Sequence, residues 1–164
     1  MQGNRLWLRI VGASVIGLLV GLSGCDSASA GADSNSPPPE ATLELLHDGS
    51  VLDGDTPVDF GAVSEGDSVS ESFTIRNSGS ATANLTGAKA TITGTYADEF
   101  VMNTPAADAL APGESTTLEV IFTPTGVGSL TGETVTLSIE SDAATGPPTV
   151  ELSFSVVDPT DISI

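Results

Sequence analysis

From residue 41 onward, apolar and polar residues alternate with a period of two, the repeat that sets one face of a β-sheet on a core and the other in water. Val69, Phe73 and Ile75 hold odd positions, with Ser70, Ser72, Thr74 and Arg76 between them. Leu118, Val120 and Phe122 repeat the pattern on even positions, Val135, Leu137 and Ile139 on odd ones, and Val150, Leu152, Phe154 and Val156 on even ones again. Shorter runs (Leu43 with Leu45, Val58 with Phe60, and Ala88 and Ala90 with Ile92) predict weaker strands, and Gly87 predicts a bulge between Leu85 and the last of them. Turn-forming residues stand between the runs: Asp53-Gly54, Glu65-Gly66, Asn77-Ser78-Gly79, Pro112-Gly113, Thr125-Gly126 and Gly146-Pro147-Pro148. No segment sustains the apolar stripe of a helix; a single helical turn is expected between Tyr96 and Phe100. Seven or eight short strands without helices between them predict an all-β fold, a single antiparallel β-sandwich over residues 41–158 with a tail at 159–164. The first strand (41–46) and the last (149–157) are its expected edges. Phe60, Phe73, Phe122 and Phe154 lie on inward phases and Phe100 starts a strand, so one aromatic core is expected, and Tyr96 is left as the candidate exposed ring.

The N-terminus has a different grammar. Arg5 and Arg9 precede an uncharged, mostly apolar run from Ile10 to Gly21, and Ser23 and Gly24 follow just before Cys25. That is the layout of a secretory signal peptide over residues 1–24, its apolar run well short of the ~20 residues that span a bilayer as a helix. Leu22-Ser23-Gly24-Cys25 resembles the bacterial lipobox. The resemblance implies cleavage between Gly24 and Cys25 and a covalent lipid on the Cys25 thiol, hence a chain held at a membrane by its acyl groups. Asp26 to Glu40, rich in Ser, Ala and Pro, has no apolar period and reads with Cys25 as a flexible tether over residues 25–40. Cys25 is the sole cysteine, so the domain must fold without an internal disulfide.

Four segments of the β-region stand in order: Asp59-Phe60-Gly61-Ala62-Val63-Ser64-Glu65-Gly66, Phe73-Thr74-Ile75-Arg76-Asn77-Ser78-Gly79, Leu110-Ala111-Pro112-Gly113-Glu114-Ser115 and Phe122-Thr123-Pro124-Thr125-Gly126-Val127-Gly128. Together they resemble the Hydin-type immunoglobulin-like family, known in bacteria as choice-of-anchor D domains. The resemblance, over roughly residues 57–157, implies an immunoglobulin-like sandwich used as a structural or adhesive module in exported proteins, with no catalytic residues to carry over. The chain departs from the family where a closing Leu-x-Gly-x-Gly is usual: Leu152 leads into Phe154, Val156 and Val157.

Charge narrows the partners. Beyond residue 24 only Arg76 and Lys89 oppose all 22 acidic residues, in a chain of formal net charge −18. Such a body is repelled by nucleic acid and by anionic lipid, and self-repulsion favours a soluble monomer. Adaptation to high salt is the competing explanation. His47 is the only histidine and is expected as a solvated strand-end residue, with no nucleophile presented beside it. Gly126-Val127-Gly128 lies between strands and reads as a loop, and Asn84-Leu85-Thr86 as a chance sequon. Asp53, Asp55 and Asp59, with Asp48 nearby, are weak calcium candidates, without the bidentate Glu that an EF-hand loop requires; no other metal or cofactor is expected. The chain is therefore expected to be a non-catalytic, lipid-anchored protein of the cell envelope, on its periplasmic or outer face. It would act as a structural or protein-interaction module for an unknown envelope partner. A periplasmic chaperone-like role, using Arg76 and Lys89, and a carbohydrate-binding role, using Tyr96, are the alternatives.

Overall fold

The computed structural model describes residues 36–147, 149–158 and 160. The predicted signal peptide, its cleavage site at Gly24 and Cys25, and most of the predicted tail lie outside the described residues. Ten strands follow in order: β1 (Leu43–His47), β2 (Ser50–Val51), β3 (Val58–Ser64), β4 (Val69–Asn77), β5 (Ala83–Thr93), β6 (Phe100–Asn103), β7 (Ala109–Leu110), β8 (Ser115–Phe122), β9 (Leu130–Ser141) and β10 (Val150–Val157). A single 3-10 turn, Ala97–Glu99, sits where one helical turn was expected. Eight strands have four or more residues, and β2 and β7 have two each.

The strands form two five-stranded sheets, ordered β2-β1-β4-β8-β6 and β3-β10-β9-β5-β7. The orders β1-β4-β8-β6 and β5-β9-β10 are the four-on-three arrangement of an immunoglobulin-like sandwich. Pairing between the strands is antiparallel except between β3 and β10, which run parallel, and an isolated parallel bridge joins Thr42 to Thr145. The β3–β10 pair also corrects the expected edges. β10 lies between β3 and β9, so the last strand is interior to its sheet. The first strand is closed off as well: β2 pairs with Leu46 and His47, Leu43 N–H donates to Thr145 O, and Leu45 O accepts from Leu52 N–H. Alternation identifies which side chains face inward but not which strand lies alongside, and both errors come from that. Asp48 and Gly49 form the β1–β2 turn at φ of 50° and 77°. Two successive positive φ angles are what a two-residue hairpin demands, and Asp-Gly supplies them at little cost.

Every inward-phase aromatic is in the core. Phe122 lies 4.6 Å from Phe100 and 4.5 Å from Phe154 between ring centroids, and Phe60 meets both Phe100 and Phe122 edge-on. Leu45, Ile75, Leu118, Leu137 and Leu152 surround them at zero exposure. On β5, Leu85 pairs with Ser141 but Ala90 pairs with Ile139, so residues 86–89 bulge out opposite a single residue. Gly87 at φ 56° and Lys89 at φ 66° make the excursion, and Ala88 is therefore exposed rather than aligned with Ala90.

Candidate interaction surface

The few polar side chains that turn inward are tightly committed. Asn77 ends β4 on the core side with no exposure. Its Nδ2 donates to the carbonyls of Ala81 and Leu110, both at 2.8 Å, and its Oδ1 accepts from Gly79 N–H at 3.0 Å. Its backbone N–H and C=O bond Glu114 and Gly113. The carboxamide thus ties β4 to the 79–81 turn and to β7. Gly79 follows because a Cβ there would strike the backbone of residues 40–42.

His47 is not a free strand-end residue. It occupies the inward phase at the end of β1, its Nε2 2.9 Å from Glu71 Oε2 and its ring centroid 5.2 Å from that of Phe73. Glu71 is on the inward phase of β4, so the pair caps the margin of the core, each side chain partly buried.

Both cations of the domain are likewise engaged. Arg76 faces outward, as expected, and both Nε and Nη2 donate to Glu44 Oε2 on the adjoining strand. Those hydrogen bonds, with the guanidinium charge, hold the Glu44 carboxyl below its ordinary range. Lys89, carried over by the bulge, donates to Pro105 O at 3.0 Å and lies 2.6 Å from Asp108 Oδ1. The ammonium lowers the Asp108 pKa by hydrogen bond first and by charge second. Asp142 is lowered by the side chain and N–H of Asn84, which donate to its two oxygens at 2.7 Å. Asn84, the sequon residue, therefore has its amide occupied.

Among the described residues no three His, Cys, Asp or Glu side chains are grouped so as to hold a metal ion. Asp53 accepts from the N–H of Asp55 at 3.0 Å, a local turn, while Asp59 lies on β3, accepting from Gly61 N–H and facing Ser153. Tyr96, the candidate sugar platform, is half-buried, its ring edge-on to Phe154 at 5.8 Å.

Surface available to a partner lies at the sheet edges. The strands at the ends of the sheets are β2, β6, β3 and β7. Among the described residues, Val51 on β2, Val101 on β6 and Val157 at the end of β10 are the exposed large aliphatic side chains. Sequence reasoning noted Phe100 as a strand start but missed β6 as an edge. The short run Phe100-Val101-Met102-Asn103 held the signal, and its four-residue length concealed it.

A model of the HYDIN/CFA65/VesB-like Ig-like domain matches residues 51–155. A Porphyromonas gingivalis W83 protein of unknown function superposes at TM-score 0.47 and 18% identity, over 71% of this chain and 46% of its own. The secreted serine protease VesC of Vibrio cholerae superposes at 0.47 and 21% identity, over 70% of this chain and 23% of its own. The VesB protease of the same organism superposes at 0.45 and 17% identity, over 71% and 31%. The chain thus spans less than half the length of each of these three. No curated protein matches the sequence.

Proposed function

We propose, from the premise that the chain belongs to the family of HYDIN/CFA65/VesB-like Ig-like domains, that it is a lipid-anchored, non-catalytic module of the bacterial cell envelope. In this reading Cys25 carries the lipid, residues 26–40 space the domain from the membrane, and the sandwich holds another envelope component. The observation that carries it is the order of parts: a lipobox-like Leu22-Ser23-Gly24-Cys25, a Ser/Ala/Pro stretch, then a family-matched sandwich whose first strand starts at Leu43. In the polyproline conformation, at ~3.1 Å per residue, a fifteen-residue spacer such as 26–40 would reach about 45 Å, enough to clear lipid headgroups.

The chemistry of the described residues favours binding over turnover. The sole histidine is taken up by Glu71 and Phe73, and Arg76 and Lys89 by Glu44 and Asp108, which leaves a chaperone-like carboxylate clamp without its cations. Tyr96, half-buried against Phe154, makes a poor sugar platform.

The test is fatty-acid labelling of cells expressing the wild type or Cys25→Ala, followed by protease shaving of sealed cells and immunoblotting. The wild type should label and sediment with membranes, and Cys25→Ala should do neither. Digestion of the domain on sealed cells would assign it to the outer face, and survival until the envelope is opened to the periplasm. An unlabelled, soluble wild-type chain would overturn the lipid anchor.

A further inference from the structure

The geometry points to β6 as a docking edge for a basic, extended peptide segment, which would add to its sheet as a further strand. The inference rests on the reading of the chain as a binding module. Thr123 N–H donates to Glu99 O at 2.9 Å, which marks residues 99 and 123 as a hydrogen-bonded pair. The register runs without a shift from Phe100 opposite Phe122 to Asn103 opposite Glu119. In an antiparallel pair the bonding direction alternates, so Val101 and Asn103 turn their backbone groups to β8, and Phe100 and Met102 turn theirs outward. Phe100 N–H is taken by Ala97 O. The N–H and C=O of Met102 and the C=O of Phe100 remain, a donor and two acceptors along one regular edge. Among the described residues no loop backbone or side chain bonds them.

The other edges are less open. β2 and β7 offer two residues each. β3 is longer but irregular: its register with β10 shifts between Ser153 and Ser155, and the Asp59 carboxylate takes Gly61 N–H. Bulges and side-chain caps of this kind are how sheets blunt an edge. β6 has neither.

Charge selects the occupant. Val101, 59% exposed, stands beside Ile121 in register, an apolar spot for a β-branched side chain. Around it lie Asp98 and Glu99 just before the strand and Glu119 opposite Asn103; Glu99 accepts from Thr125 and Glu119 from Asn103, neutral donors that leave both carboxylates charged, while Arg76 is paired with Glu44 and Lys89, beside the loop that follows β6, with Asp108. A second copy of this chain would bring the same acids edge to edge at a net charge of −18. A strand with Lys or Arg at its ends and a β-branched residue between them matches instead.

The experiment uses the acylated full-length chain in detergent micelles and two end-blocked synthetic probes, Lys-Val-Thr-Val-Thr-Lys and Glu-Val-Thr-Val-Thr-Glu. The basic probe should slow hydrogen exchange of the Met102 N–H at least tenfold and leave Val101 and Asn103, already bonded to β8, unchanged. Raising salt from about 0.02 to about 0.5 M should release it, because screening shortens the reach of the acids. Met102→Pro removes the outward donor while sparing the bonds to β8, and should weaken binding of the basic probe, read by titration calorimetry, at least tenfold. Val101→Lys, on the outer face where folding is not at stake, should weaken the basic probe at least tenfold. Unchanged exchange at Met102, or equal binding of the acidic probe, would overturn the docking edge. That failure leaves the envelope reading standing, whereas a wild-type chain that takes no lipid removes the lipid anchor whatever β6 does.

Discussion

The carboxamide of Asn77 shows how much of this fold hangs on single polar groups. Truncation to alanine strands the buried carbonyl of Leu110 and, at half-buried positions, the carbonyl of Ala81 and the N–H of Gly79. Each unsatisfied buried group costs roughly 1–3 kcal/mol, so Asn77→Ala should destabilise by about 3 kcal/mol or more. Urea unfolding should show this as a lower midpoint with an unchanged slope. Asn77→Asp keeps the shape but loses the donors and should cost as much. The sequence marked Asn77 only as part of a turn, because its decisive partner, Leu110, is 33 residues away. The His47–Glu71 pair, 24 residues apart, escaped for the same reason. Lys89 gives a pH-dependent counterpart. It holds the Asp108 pKa below the ordinary value of 3.8, so the pair contributes stability that is present above that value and lost as pH falls through the lowered pKa. The stability difference between wild type and Lys89→Met should be full at neutral pH and shrink toward acid. A difference that grows as pH falls would contradict the assignment.

Among the elements, alternation read out strands well because it is a local property: β4, β8, β9 and β10 were legible from their own side chains. The β5 bulge was legible too, from Gly87. Strand neighbours were not, since β3 and β10 pair across some ninety residues with no local trace. The consequence is that β10 holds β3 onto its sheet and carries Val150, Leu152, Phe154 and Val156 into the core. Losing a Phe alone from a core costs about 3–5 kcal/mol, against a total stability of roughly 5–15 kcal/mol for a domain. A chain ended at residue 149 should therefore be unfolded by far-UV CD and cut rapidly by protease. A folded 149-residue product would show that β3 and β9 can close without their central strand.

For the molecule as a whole, the charge imbalance was legible from composition alone, but its energetic sense was not. The structure adds that the two cations of the domain are each paired with one acid, leaving the other described carboxylates to repel one another. Self-repulsion opposes the compact state, so salt should raise the thermal midpoint, and the shape of that rise separates two causes. The Debye length falls from ~30 Å at 0.01 M to ~8 Å at 0.15 M and ~3 Å at 1 M, so most of any screening benefit arrives below a few tenths molar. If repulsion is the whole story, the midpoint measured in potassium chloride should climb steeply and then level off. A midpoint that keeps climbing to several molar cannot come from screening already exhausted. It would instead mean that the acidic surface is matched to a high-salt environment. The bare repulsion argument favours the plateau, and a salt-independent midpoint from the lowest concentration upward would contradict both causes.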